Sequence, residues 1–157
     1  MFEIAQNSGG RLWIMPCPDG ACLTNDVERY RAAGATCVVS MLAHGEAEML
    51  GLAREGEICS QAGLEFQQHP IVDFGLPNAA DFAALVASIK SALESGQGVA
   101  VHCRAGIGRS GMVTAGVLVA QGSSADQAMA TVAHARGVSI PDTVEQGNFV
   151  HDFAHSL

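Results

Sequence analysis

Lysine is almost missing from this chain. Lys90 is the only one, and the 8 cationic side chains face 16 carboxylates, a formal charge of -8 at pH 7. Binding a nucleic-acid backbone or an anionic membrane over a broad surface needs clustered cations, so both are excluded as general functions. A small anionic ligand is not excluded, because a few converging backbone N–H groups and one Arg overrule net charge locally. No Cys-x-x-Cys pair occurs, and the 5 cysteines are an odd number in a chain too long to need a disulfide framework. A reduced, cytoplasmic protein is the expectation. The opening MFEIAQNSGGRLWIMP has no cationic segment before an apolar run, so it does not read as a secretory signal. The longest uncharged stretch, Ser110 to Ala125, carries Gly, Ser, Thr and Gln and falls short of a membrane span. Internal repeats, low-complexity tracts and linkers are absent too.

Apolar residues supply 48% of the chain and charged ones 15%, which excludes a disordered polyelectrolyte. At 157 residues the chain is sized for one domain, residues 1–157. Such a domain buries roughly 70% of its unfolded surface, enough for a real core. Leu12 to Met15 reads as a short strand, paired with Phe2 to Ala5 across the NSGG turn. Thr24 is the expected N-cap of a helix running to Ala33 and stopped by Gly34. Thr36 to Leu42 is a β-branched apolar run, suited to a strand buried on both faces. Helical pieces at 45–53 and 55–62 and a strand from Leu64 to His69 follow.

The second half has sharper signals. Phe82, Leu85, Val86, Ile89 and Leu93 recur at helical spacing from Ala79 to Ser95, with Asn78 as cap and Gly96 as stop. GVAVH, Gly98 to His102, is a short buried strand. An apolar helix from Ser110 to Gln121, one capped by Ser124 and ending at Gly137, and one from Asp142 to His155 complete the chain. Strands alternating with helices predict a three-layer α/β/α sandwich around a mainly parallel sheet. Ligands in such sheets sit at the carboxyl ends of strands, and the turn after His102 is such a place.

That turn reads His102-Cys103-Arg104-Ala105-Gly106-Ile107-Gly108-Arg109-Ser110-Gly111. Gly106 and Gly108 let the backbone curl so that successive N–H groups converge on one point. The dipole of the following helix adds positive potential there. Arg109 offers a planar fork matched to two oxygens of a tetrahedral oxyanion. The result is a cradle of phosphate size with a sulfur at its floor. The same field favours thiolate over thiol, so Cys103 is expected to be nucleophilic at neutral pH. Ser110 also stands where it would cap the helix.

His before the Cys, glycines at the third and fifth loop positions and Ser after the Arg together make this segment resemble the Cys-x5-Arg loop of the protein tyrosine phosphatase superfamily. The form is the one shared by its dual-specificity and kinase-associated members, and the resemblance runs from His69 to Phe149. It implies Cys103 as the nucleophile that takes the phosphoryl group. It implies that Arg109 and the loop amides of Arg104, Ala105, Gly106, Ile107 and Gly108 hold the equatorial oxygens. Ser110 would assist departure of the sulfur, and His102 would support the loop from beneath.

A thiolate attacking a phosphate ester also needs a proton for the leaving oxygen. The stretch from His69 to Asn78 holds one carboxylate between prolines and is similar to the family's acid loop, with Asp73 at the acid position. Its apolar neighbours would tend to raise its pKa; Asp81 is the fallback. Thr143 to Phe149 resembles the segment whose Gln, here Gln146, places water for the second step. No cofactor and no metal is implied. His151 and His155 stand four apart on a predicted helix, but no third ligand is spaced nearby.

Ile107 takes a position where members acting on inositol lipids carry lysine, and the only tyrosine, Tyr30, is far from any pocket-deepening loop. The implied partner is therefore a phosphorylated protein or peptide. The implied function is hydrolysis of phosphotyrosine, and of phosphoserine or phosphothreonine, with a phosphate-binding pseudo-phosphatase or a phosphoinositide phosphatase as alternatives.

Overall fold

The computed structural model describes residues 1–157, in which one five-stranded sheet separates two layers of helices. The strands are β1 (Phe2–Ile4), β2 (Arg11–Met15), β3 (Cys37–Ser40), β4 (Glu65–Gln68) and β5 (Gly98–His102), ordered β1-β2-β5-β3-β4. All neighbours are parallel except β1 and β2, the hairpin expected across NSGG. The α/β/α class expected from alternation is the one observed.

Period-2 alternation along the central strands explains the two cores. Leu12, Ile14, Val99, Val101 and Val39 point to one face, under α4 (Ala79–Glu94), α5 (Arg109–Ala120), α6 (Ala125–Arg136) and α7 (Val144–Ser156). Trp13, Met15, Ala100 and Val38 point to the other, under α1 (Leu23–Ala32), α2 (His44–Met49) and α3 (Glu55–Gln61). β5 lies in the middle of the sheet and every one of its residues is buried. The residue that follows it, Cys103, is therefore delivered to the carboxyl edge of the sheet with little freedom to move.

Local signals mostly hold. Asn78 caps α4 by accepting from the amides of Ala80 and Asp81. Ser124 and Gln127 form a capping box, and Gly137 closes α6 in the left-handed conformation. Three expectations shift. Thr24 does not cap α1: Cys22 is the N-cap, with no side-chain bond, and Thr24 lies inside the first turn. Ser110 does not cap α5, which starts one residue earlier after Gly108. Asp142 stays outside α7, whose cap is Thr143. For α1 and α5 a propensity for caps yields to where the tertiary contacts begin the helix, whereas α7 starts behind a true side-chain cap, Thr143 accepting from the Gln146 amide.

Candidate active site

Between β5 and α5 the backbone of Arg104 to Gly108 donates to no acceptor in the protein, backbone or side chain. Gly106 and Gly108 are buried, and buried amides ordinarily find partners, so their unpaired N–H groups in a run of five stand out. Gly106 makes the curl possible: its φ is +69°, and a Cβ there would lie 2.4 Å from the Met15 carbonyl carbon. Cys103 is 3% exposed, and its Sγ lies 3.3 Å from Ser110 Oγ, in the first turn of α5. The Ser110 hydroxyl thus faces the sulfur instead of the helix end.

Arg109, the first residue of α5, is 2% exposed, and both of its terminal nitrogens are engaged. Its Nη1 donates to Glu46 Oε2 at 2.6 Å and to the Ile71 carbonyl at 3.1 Å, and its Nη2 donates to Glu46 Oε1 at 2.9 Å. Asp73 Oδ1 lies 2.9 Å from the same Nη2, while Nε takes part in none of these contacts. Arg109 therefore joins α2 to the stretch 69–78 and holds the fork in place. Burial works against its charge, but the hydrogen bonds to Glu46 and the nearby anions raise its pKa above the ordinary value. The hydrogen bonds from Arg109 hold the Glu46 carboxyl below the usual carboxylate range, against the opposing effect of burial.

This lowered value has a pH consequence. A carboxylate with a depressed folded pKa stabilises the fold above its unfolded pKa, near 4.3 for Glu, and loses that contribution as pH falls through the folded value. Glu46→Gln is expected to melt at a lower temperature than wild type at neutral pH. The gap should narrow progressively below about pH 4.3. Melting curves across pH 2–7 check this, and a gap independent of pH would refute the ionic pairing.

Asp73 sits on a loop anchored at its start by the amides of His69 and Ile71, which donate to Ser40 and Met41 carbonyls. The expectation that apolar neighbours enclose its carboxyl is not met. Val72, Phe74 and Leu76 are 76%, 64% and 49% exposed, and the carboxyl's close neighbour is the Arg109 guanidinium. Phe74, at φ 57°, is the only non-glycine residue with a positive φ, so the backbone beside Asp73 is held in a costly conformation. Asp81 lies instead in the first turn of α4, lining a neighbouring cleft with His69.

His102 is wholly buried beneath the loop, with Nδ1 3.2 Å from the Cys103 carbonyl and Nε2 3.0 Å from buried Glu55 Oε1. Gln146 is fully buried, not on a helix surface. Its Nε2 donates to the Gly75 carbonyl at 3.3 Å, and its buried Oε1 has no donor. A Cβ added to Gly108 would lie 2.7 Å from that Oε1 and 2.5 Å from Asp142 Oδ2, so both oxygens crowd the loop. The structure thus brings Cys103, Ser110, Arg109, Asp73, His102 and Gln146 to one place. His151 lies elsewhere, 3.2 Å from Asp126 on α6.

Four supporting residues are not legible in the linear pattern: Glu46, Glu55, Arg136 and Asp142. Glu46 is 63 positions from the arginine it grips, and nothing in a short helix's sequence signals that meeting. All five cysteines are free. Burial pushes the Cys37 and Cys59 thiols up to about 12, so neither supplies a thiolate near neutrality. Cys17 adjoins the loop, its N–H donating to the Arg104 carbonyl at 3.1 Å, and burial raises its pKa as well.

A sulfur and a buried guanidinium at the two ends of a loop of unpaired amides, on a mainly parallel α/β sheet, form the architecture of a dual-specificity-type phosphatase. The family model described as "Polymorphic toxin system, DSP-PTPase phosphatase" matches residues 18–123, and the chain belongs to this family of dual-specificity-type phosphatases. Among curated proteins it is 26% identical over 134 residues to human (Homo sapiens) cyclin-dependent kinase inhibitor 3, covering 84% of this chain and 63% of that protein. It is 31% identical over 142 residues to protein tyrosine phosphatase domain-containing protein 1 of Danio rerio, covering 85% of this chain and 20% of that one. The chain thus spans less than two thirds of these relatives. Kinase associated phosphatase (KAP), solved with its catalytic-site cysteine replaced by serine, shares the fold at a TM-score of 0.82 and 24% identity, covering 94% of this chain and 86% of that one. PTPMT1 superposes at a TM-score of 0.77 and 21% identity, covering 99% and 95%. No helix is long and apolar enough to cross a membrane.

Proposed function

We propose that residues 1–157 form one catalytic domain that hydrolyses phosphotyrosine, and phosphoserine or phosphothreonine, on proteins through a phosphocysteine intermediate. The observation that carries this reading is the row of unpaired amides, Arg104 to Gly108, between the Cys103 sulfur and the buried Arg109 fork. Those amides and the guanidinium supply donors to the non-bridging oxygens of a phosphoryl group. In the first step Cys103 sulfur bonds to phosphorus, the P–O ester bond breaks and Asp73 gives its proton to the leaving oxygen. In the second, water held by Gln146 attacks phosphorus and the P–S bond breaks. Asp73 takes the water's proton, and Ser110 stabilises the departing thiolate by donating to it at the observed 3.3 Å. His102 positions the Cys103 carbonyl from beneath.

Several features support a phosphoprotein substrate. Ile107 stands in the loop where a lysine would suit an inositol headgroup. Glu46 and Asp142 place carboxylates beside the site, against which Arg104 is a single exposed cation. A phosphoinositide is the second reading, favoured by one observation: PTPMT1 has been solved in complex with PI(5)P, and its fold is shared at a TM-score of 0.77. A pseudo-phosphatase is disfavoured because nucleophile and acid are both present. Free cysteines suit a reducing compartment, so the cytoplasm is the proposed location.

Turnover of phosphotyrosine, phosphoserine and phosphoinositide substrates, measured side by side with Asp73→Asn, tests the reading. Asp73→Asn should slow substrates with poor leaving groups by roughly 10²- to 10⁴-fold while largely retaining affinity. Aryl esters whose phenolate departs unaided should lose less, so rate should fall steeply with leaving-group pKa. Asp81→Asn is the control. If Asp81→Asn reproduces these effects and Asp73→Asn does not, the acid is Asp81.

A further inference from the structure

We propose that Arg136 is a positioning residue that aims the loop amides at their anion, an assignment resting on the loop being the phosphate site. Arg136 is the last residue of α6, and it reaches the loop from outside. Its Nε donates to the Gly106 carbonyl at 3.0 Å and its Nη2 to the Ala105 carbonyl at 3.0 Å. A trans peptide unit is planar, with C=O and N–H pointing in opposite directions. The Ala105 carbonyl shares its plane with the Gly106 N–H, and the Gly106 carbonyl shares its plane with the Ile107 N–H. Gripping both carbonyls on one side therefore turns both amides to the other side.

The neighbouring plane is set the same way. The Cys17 amide holds the Arg104 carbonyl at 3.1 Å, which orients the Ala105 N–H. Three consecutive amides are thus aimed by donors bonded to the carbonyls behind them, and none of the three has an acceptor in the protein. Arg136 is itself braced by β1, whose Phe2 ring lies 4.5 Å from its guanidinium carbon. A planar fork holds two carbonyls in one fixed geometry, whereas an ammonium's three donors diverge from a single point on a flexible stem. The expected energetic effect is preorganisation: amides already turned need no rearrangement when charge develops on the phosphoryl oxygens.

The test measures tungstate and inorganic phosphate affinity, by competition with p-nitrophenyl phosphate and by calorimetry, for wild type, Arg136→Lys and Arg136→Met. Thermal melts run alongside. Arg136→Met should melt cooperatively but bind tungstate roughly 10- to 100-fold more weakly, with kcat/KM falling in step. Its dependence on leaving-group pKa should remain that of wild type, in contrast to Asp73→Asn. Arg136→Lys should fall between the two, about threefold or more weaker than wild type, because its donors diverge from one point and do not fix both carbonyls in the fork's geometry. A folded Arg136→Met that binds tungstate as tightly as wild type overturns the proposal. If that variant does not fold, a folded Arg136→Lys with wild-type affinity overturns it instead. A wild type that binds neither oxyanion refutes the loop as a phosphate site, and the proposal falls with it.

Discussion

Cys103→Ser should fold, bind tungstate and phosphate, and turn over substrate slower by on the order of 10⁴-fold or more. The reason is chemical and not steric. A hydroxyl replacing the thiol fills nearly the same volume in a site that is 3% exposed, so packing is preserved. An alcohol at neutral pH has neither the charge nor the nucleophilicity of a thiolate, so the P–S bond has no counterpart that forms at a useful rate. Binding should survive because the proposed anion donors, the unpaired amides of Arg104 to Gly108 and the Arg109 guanidinium, are not altered. Wild-type turnover should in turn be blocked by vanadate and iodoacetate and be indifferent to chelators. Substantial activity in the serine variant would show that the sulfur is not the nucleophile, and loss of wild-type activity on chelation would show a metal requirement that this mechanism does not include.

Arg109→Lys should lower kcat/KM by roughly 10²- to 10³-fold although it keeps the charge. The guanidinium meets Glu46 through two parallel hydrogen bonds at 2.6 and 2.9 Å while bonding the Ile71 carbonyl and neighbouring Asp73. An ammonium offers three donors from one point and cannot keep that fork while presenting further N–H groups to a phosphoryl group. The loss should appear in both binding and kcat, since contacts made to substrate tighten as the transition state forms. The acid loop should also loosen, because Ile71 and Asp73 lose their common anchor. Oxyanion affinity and single-turnover rates of Arg109→Lys measure the two effects separately. Near-wild-type turnover would mean that the backbone amides alone hold the anion.

Much of this site is legible in the linear order, because its centre is one contiguous turn. His102 to Ser110 joins a strand to a helix, and glycines, sulfur and fork all lie within that turn. The loop of the proposed acid, Asp73, is legible for a similar reason: a carboxylate between prolines, ahead of a capped helix, is a local pattern. What surrounds Asp73 is not legible. Val72, Phe74 and Leu76 suggest an apolar enclosure, yet they face solvent, and the carboxyl meets Arg109 from 36 positions away in the chain.

By itself, then, the sequence determined the α/β/α layering, through apolar strands alternating with helices of 3.6-residue spacing, and it determined the order of the loop, whose cysteine, glycines and arginine are adjacent residues. Only the tertiary structure decided which carboxylates meet the loop's cation and its supporting histidine: Glu46 on Arg109, and Glu55 beside His102. It also decided that Gln146 is buried beside Gly108 and that Arg136 crosses from α6 to the loop carbonyls. The physical reason is the same in every case. A hydrogen bond between distant segments depends on how helices pack over the sheet, and the periodicity that buries a helix does not encode which polar side chain meets which loop.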